Sequence, residues 1–249
     1  VDRAALLPIA LFAAAFLTIG WFIYQDWRRS GQRIAIYLAF RALWLFCKLW
    51  HGVRPRGPDP IPTSGPAIVI SNHTSPADPA FLQCATRRVI SFLMAREYFS
   101  IRWLQFICRL NDTILVNRSG HDAAALRAAL RALKEGRVIG IFPEGGIHLE
   151  PNSMREAKLG TAMIALSSRA PIIPAYIDRK THTNLLGEGV LRPSHARVYF
   201  GSAIDLSRYY DRRHDTPLFE EVTELLMRSI ERLKTDQTSR TSTPGRSTS

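Results

Sequence analysis

The pattern of apolar and polar positions divides the chain into four parts. These are an uncharged apolar opening, a second apolar stretch broken by charges, a proline-rich passage, and a long region where strand-like and helix-like periods alternate. Residues 4–24 carry no charge. A helix of that length reaches roughly 30 Å, the thickness of a bilayer's hydrocarbon core. Trp21, Tyr24 and Trp27 stand at its end as an aromatic belt would, and Arg28, Arg29 and Arg33 follow. That order predicts a transmembrane helix whose basic end is cytoplasmic. A cleaved signal peptide fits less well, because its charges precede the apolar run. Residues 34–50 are rich in Trp, Phe and Leu but hold Arg41 and Lys48. This suits an interfacial helix with snorkelling cations. A helical hairpin dipping into one leaflet and a buried core helix are the alternatives.

Pro55, Gly57, Pro58, Pro60, Pro62 and Gly65 exclude a helix over 54–65 and mark a linker. Beyond it, short β-branched runs at 67–71, 89–95, 113–117, 138–142, 172–177 and 196–200 read as strands. Between and after them, residues 97–110, 121–135, 154–168 and 217–233 read as helices. The helix at 121–135 is the clearest: Ser119 can cap it, Ala and Leu fill it, and Gly136 ends it. The alternation predicts an α/β fold: a mixed, largely parallel sheet flanked by helices, preceded by an N-terminal membrane-binding helical segment. The expected organisation is a membrane segment at 1–53, a linker at 54–66, an α/β domain at 67–234 and a disordered Ser/Thr-rich tail at 235–249.

Composition sharpens this in two ways. A hydrophobic content of 46% supports a sizeable core, and a net charge of +12 implies anionic partners: nucleic acid, anionic lipid or phosphorylated substrates. Most of the cations are arginines, which suit bidentate phosphate contacts; the lysines are Lys48, Lys134, Lys158, Lys180 and Lys234. No nucleic-acid-binding motif accompanies the charge. Cys47, Cys84 and Cys108 lie in apolar surroundings and read as buried thiols in a reducing compartment.

The chemistry concentrates at 68–79. The run Ile68-Val69-Ile70 ends in Ser71-Asn72-His73, and Ser75-Pro76 then reads as a helix start. His73 therefore falls between a strand end and a helix start, the edge at which open α/β sheets bind ligands. Asp78, in the first helical turn, is in reach of a ring nitrogen of His73. A carboxylate there sets the tautomer and leaves the other nitrogen as a base. Ser75-x-x-Asp78 is equally a capping box, in which Asp78 serves only the helix end. Further on, Thr113 to Arg118 ends an apolar run with an arginine, either a phosphate clamp or a lone surface charge. Val138 to Phe142 runs into Pro143-Glu144-Gly145-Gly146, where the glycines permit a close backbone approach or an anion nest, or form an ordinary tight turn. Lys158 opens a small-residue helix beside that turn, and Pro171-Ile172-Ile173-Pro174 begins another strand.

In order and separation, these stretches resemble the motifs of the 1-acylglycerol-3-phosphate acyltransferase (PlsC-type) family. Asn72-His73 through Asp78 is similar to its histidine-x4-aspartate motif. Thr113 to Arg118 is similar to the second motif, Phe142-Pro143-Glu144-Gly145 to the third, and Pro171 to Pro174 to the fourth. Two departures stand out: Asn111 or Asp112 and aliphatics replace the second motif's glycine and aromatic, and Gly146-Ile147 replaces the threonine and phosphate-binding arginine of the third. The resemblance implies a membrane-bound O-acyltransferase with His73 as base and Asp78 as its orienting carboxylate. Arg118 and Lys158 would bind the acceptor's phosphate, and Glu144, Gly145 and Gly146 would shape its pocket. It implies no cofactor and no metal, only acyl-CoA or acyl-carrier protein as donor. The foremost acceptor is 1-acyl-sn-glycerol-3-phosphate, giving phosphatidic acid; another lyso-lipid is the alternative. The expected location is the inner (cytoplasmic) membrane, with the catalytic domain on the cytoplasmic side and an anionic membrane surface as partner. A non-catalytic, basic, membrane-anchored binding protein is the reading from another class; it leaves the spacing of His73, Asp78 and Glu144 without a use.

Overall fold

A computed structural model describes residues 18, 20–28, 34–117, 122–150, 157–179 and 182–242. The chain forms two compact units, residues 1–45 and 46–249. In the first, residues 20–28 are helical and helix α1 (Ile34–Leu49) begins. Tyr37 Oη donates to Asp26 Oδ2 at 2.9 Å, and Arg41 pairs with the same carboxylate. The apolar stretch expected at 34–50 is thus a helix, and Ile34, Leu38, Leu45 and Leu49 on it are exposed. The span expected at 4–24 falls mostly on residues outside the described set. Among the described residues no helix is long and apolar enough to cross a membrane.

The second unit is built on a seven-stranded sheet. Its strands are β1 (Arg54–Arg56), β2 (Ala67–Ser71), β3 (Ile90–Ala95), β4 (Ile114–Val116), β5 (Val138–Ile141), β6 (Ile172–Asp178) and β7 (Arg197–Phe200), in the order β1-β7-β6-β2-β5-β3-β4. β2 runs parallel to β5 and β6, and β3 runs parallel to β5 and β4. β7 is antiparallel to β6, and β1 joins β7 in parallel. This is the mixed, largely parallel sheet that the alternating pattern predicts. All five residues of β2 are buried, as a parallel strand covered on both faces requires.

The helices are α2 (Asp78–Cys84), α3 (Arg102–Leu110), α4 (Ala123–Lys134), α5 (Gly160–Ser168), α6 (Leu186–Leu191) and α7 (Thr216–Ser242). Ile68 and Ile70 of β2, Ile139 and Ile141 of β5, Ala129 and Ala132 of α4, Ala162 and Ala165 of α5, and Leu218, Val222, Leu226 and Ile230 of α7 form one core. The alanines let α4 and α5 approach closely. Each fully buried isoleucine contributes about 1.5–3 kcal/mol relative to an exposed one.

Several expectations change. Residues 54–56, expected in the linker, pair with β7; proline is tolerated there because β1 is an edge strand, with no neighbour on its outer side among the described residues. The α4 cap is Asp122, whose Oδ1 accepts from the Ala124 and Ala125 N–H groups; Ser119 lies outside the described residues. The expected helix at 97–110 splits into a 3₁₀ turn (Arg96–Ser100) and α3. Helix α7 continues through 235–242, into the stretch expected to be disordered. The helix after His73 starts at Asp78, with Ala77 at its N-cap, rather than at Pro76.

Gly140 lies in the middle of β5, and its missing side chain is what lets Phe92 cross it. A Cβ at Gly140 would lie 2.4 Å from two ring carbons of Phe92 and 2.8 Å from Ile90 Cγ2. Phe92 in turn stacks on Phe142 (5.9 Å, 10°). Gly140→Ala is therefore expected to destabilise the domain by about 1–3 kcal/mol through overpacking, read as a lowered midpoint in urea unfolding. A midpoint equal to wild type would show that Phe92 has room to move.

Candidate active site

Because β2, β5 and β6 are parallel neighbours, their carboxyl ends open at one sheet edge. They deliver Asn72 and His73, Glu144, and Arg179 there, within three residues of each strand end. Asn72 ties two of these ends together: its Nδ2 donates to the Ile177 carbonyl (3.1 Å), and the Ile177 N–H donates to its Oδ1 (2.8 Å). His73 follows with its backbone held on both sides. Its N–H donates to Glu144 Oε1 at 3.1 Å, and its carbonyl accepts from the His148 N–H at 2.8 Å. Phe142 stacks on the imidazole at 4.0 Å and 16°.

The side chain of Asp78 is fully buried, and its Oδ2 lies 3.1 Å from His73 Nδ1. The same oxygen accepts from the backbone N–H of Thr74 (2.6 Å) and of Ser75 (2.8 Å). One oxygen of Asp78 thus meets both the turn before α2 and the His73 ring, although Ser75 is not the N-cap that the capping box would make it. These bonds fold residues 74–78 back on themselves, and that fold brings the carboxylate to the ring. With Nδ1–H donated to Asp78, Nε2 is the other nitrogen of the ring, and the His73 side chain is 16% exposed.

Asp78 Oδ1 faces Arg179 Nη1 at 3.5 Å, and the Arg179 side chain is 1% exposed. Nη2 donates to Ser194 Oγ at 2.9 Å, and the guanidinium lies 5.4 Å from the Phe81 ring centroid. Burial lowers the Arg179 pKa, and Asp78 opposes that shift. His182 and His51 are also pushed below their usual value by burial.

The turn after β5 uses its glycines differently. Gly145 takes positive φ (+65°) and donates its N–H to the Phe142 carbonyl. Gly146 is buried. Lys158 lies against this turn: its N–H donates to the Pro143 carbonyl, and a Cβ on Gly145 would sit 3.0 Å from Lys158 Cγ. The structure thus gathers His73, Asp78, Glu144, Gly145, Gly146 and Lys158 at one edge. Arg118 lies outside the described residues; the strand before it, β4, is three positions from β2, about 14 Å at ordinary strand spacing. Among the described residues, no group of three His, Cys, Asp or Glu is placed to hold a metal ion.

Sequence reasoning missed Arg179, Phe142's stack on the ring, the Asn72 clamp and Arg96. Arg96 follows β3 at the same edge, and its Nε donates to Asn117 Oδ1 at 3.0 Å. Both arginines come directly after a strand, the same signal that singled out Arg118. The stack and the clamp join strands far apart in sequence and leave no local signal.

Comparison with known proteins agrees with this geometry. The profile of the Acyltransferase family matches residues 52–178, just over half the chain. The chain is 24% identical over 135 residues to a 1-acyl-sn-glycerol-3-phosphate acyltransferase of Bacillus subtilis (strain 168), covering 54% of this chain and 66% of that one. It is 29% identical over 189 residues to an N-acylphosphatidylethanolamine synthase of Arabidopsis thaliana, covering 65% and 66%. The chain spans less than two thirds of the length of these curated relatives. The crystal structure of the 1-acyl-sn-glycerophosphate (LPA) acyltransferase PlsC from Thermotoga maritima shares its fold, with a TM-score of 0.58 at 22% identity over 93% of this chain and 96% of that one. A seven-stranded, largely parallel sheet with a histidine and a carboxylate meeting at its carboxyl edge, and a family profile matching over that same region, place the chain in the PlsC-type acyltransferase family.

Proposed function

We propose that the protein transfers a fatty acyl group from a thioester, acyl-CoA or acyl-carrier protein, to the free hydroxyl of a lysophospholipid at the cytoplasmic face of the inner membrane. The observation that carries this reading is the 3.1 Å contact between His73 Nδ1 and the buried Asp78 carboxylate at the carboxyl edge of the sheet. As the acceptor oxygen bonds to the thioester carbonyl carbon, its proton passes to His73 Nε2. The C–S bond then breaks, and the imidazolium returns a proton to the leaving thiolate. Asp78 holds the ring and stabilises its charged form. The substrate brings its own nucleophile, so the dyad suffices without a serine or cysteine.

The foremost acceptor is 1-acyl-sn-glycerol-3-phosphate, giving phosphatidic acid. Lys158, beside the Gly145 turn, and Arg96, directly after β3, supply positive charge for its phosphate, with Arg118 as the further cation that the family resemblance implies. Gly146-Ile147, where the family's phosphate-binding arginine would be, favours a second reading with another lipid acceptor. The name of the Arabidopsis relative, an N-acylphosphatidylethanolamine synthase, points to an amine as one such group. The apolar residues 4–24 and the exposed apolar positions of α1 suit a bilayer, and each arginine near an anionic surface adds about 1 kcal/mol of attraction.

Two variants test the dyad in an acyl-transfer assay with both donors and a panel of acceptors with and without phosphate. His73→Ala is expected to lower the rate by about 10²–10⁴-fold with the fold intact. Asp78→Asn can present an N–H to the ring and select the wrong tautomer, so a loss of about 10²-fold or more is expected. Wild-type turnover in a folded His73→Ala protein would remove the proposed mechanism, and preference for a phosphate-free acceptor would remove the role given to the cations.

A further inference from the structure

A chain of buried polar groups leads inward from the dyad; its member Ser194 has two acceptors in reach of its one hydroxyl hydrogen, His51 Nδ1 and the Arg192 carbonyl. His51 is 1% exposed; its Nε2 lies 2.9 Å from the Val190 carbonyl, which only accepts, so Nε2 carries the hydrogen. A neutral ring, which burial favours here, then offers Nδ1 as an acceptor to Ser194 Oγ at 3.1 Å. Ser194 Oγ accepts from Arg179 Nη2, and Arg179 Nη1 faces Asp78 Oδ1 at 3.5 Å. Asp78 Oδ2 accepts from His73 Nδ1. Arg179 thus donates in both directions, towards Ser194 and towards Asp78, and Asp78 accepts from Arg179 on one oxygen and from His73 on the other.

We infer that Arg179 is a positioning residue for the acyl-transfer dyad: it locks the Asp78 carboxylate from behind and tempers the negative charge that acts on His73. This rests on the role proposed for His73 and Asp78. The guanidinium is too deeply buried to meet substrate. Its place is also costly for stability alone, because burying an ion pair is expensive and its Nε has no partner. The planar fork explains why arginine stands here: one nitrogen addresses Asp78 while the other addresses Ser194, and Phe81 lies alongside. Ser194, anchored by His51, keeps the fork from turning.

The charge has a direction of effect. An uncompensated Asp78 carboxylate favours the imidazolium form of His73, whereas a cation on its far oxygen weakens that preference. The other titratable groups around this cluster are Glu144, whose carboxylate holds the His73 backbone, and His148, His182, Glu188, Lys158 and His51. None of them is altered in the comparison below, so a shift between variants reports Arg179 itself.

The test compares wild type, Arg179→Met, Arg179→Lys and His73→Ala in the full chain, with kcat and KM measured across pH. Arg179→Met is expected to lower kcat by about tenfold or more through loss of dyad geometry, with KM for donor and acceptor within about twofold. The acid limb of its kcat/KM profile should move to higher pH by about one unit, because the lost cation leaves the imidazolium favoured. Arg179→Lys keeps the charge but not the fork: its limb should stay near wild type while kcat remains several-fold low. A purely structural role would reduce the amount of folded enzyme, and so the apparent rate, without moving the limb. An unmoved limb in Arg179→Met, or wild-type kcat in Arg179→Lys, overturns the inference. If Arg179→Met does not fold, the kcat of Arg179→Lys decides. Full activity in His73→Ala would instead remove the dyad itself, so the two failures are told apart.

Discussion

The burial of one carboxylate organises this molecule's functional edge. Asp78 has no exposed side-chain surface, and a carboxylate without water is tolerable only where donors replace the hydration it gives up. Here the replacements are the Thr74 and Ser75 backbone amides, the His73 ring and the Arg179 guanidinium. Each donor belongs to a different structural task. The amides belong to the turn that starts α2, the ring belongs to the proposed chemistry, and the guanidinium belongs to the end of β6. Satisfying the charge therefore folds the turn, orients the imidazole and joins two strand ends in one step. No part of that arrangement can be removed without leaving an unpaired group in the interior, so the turn before α2 and the placing of the His73 ring are one arrangement around Asp78.

The sheet supplies the second constraint. Parallel strands place their carboxyl ends at one edge, so residues distant in sequence become neighbours as soon as β5, β2 and β6 pair. The imidazole sits on a pile of rings, Phe142 then Phe92, that passes over the bare backbone of Gly140. A second buried carboxylate, Glu144, holds the His73 backbone from the β5 side. The ring is thus gripped through its backbone, its face and one nitrogen, by groups on rigid strand ends. Such fixing leaves the imidazole little freedom to reorganise.

Membership of the acyltransferase family sits beside a site in which a histidine meets a buried carboxylate at the sheet's carboxyl edge. The positive charge at this edge is spread over several strand ends, with Arg96 after β3 and Lys158 at the β5 turn. That distribution differs from a single clamp of the kind that an arginine in place of Gly146 or Ile147 would provide.

Local patterns in the chain were sufficient for the strands that are buried on both sides. β2 and β5 are short, largely β-branched runs, β5 interrupted only by Gly140, and burial on both faces is what makes such runs apolar. The His73–Asp78 pair was legible for a related reason: it spans only five residues, and the turn that closes it is written in Ser75, Pro76 and Asp78 themselves. β1 was not legible, because an arginine-proline-arginine stretch has no strand pattern of its own and pairs only when β7 offers an edge. The reach of α7 past residue 234 was likewise hidden, since a polar sequence does not announce a helix that continues from a buried one. Arg179, Ser194 and His51 were equally hidden: they lie far apart along the chain, each is unremarkable in its own neighbourhood, and their hydrogen-bond chain exists only because the fold buries them together. Interactions within one turn or one strand are determined by the residues that make them; those between strand ends wait for the order of the sheet.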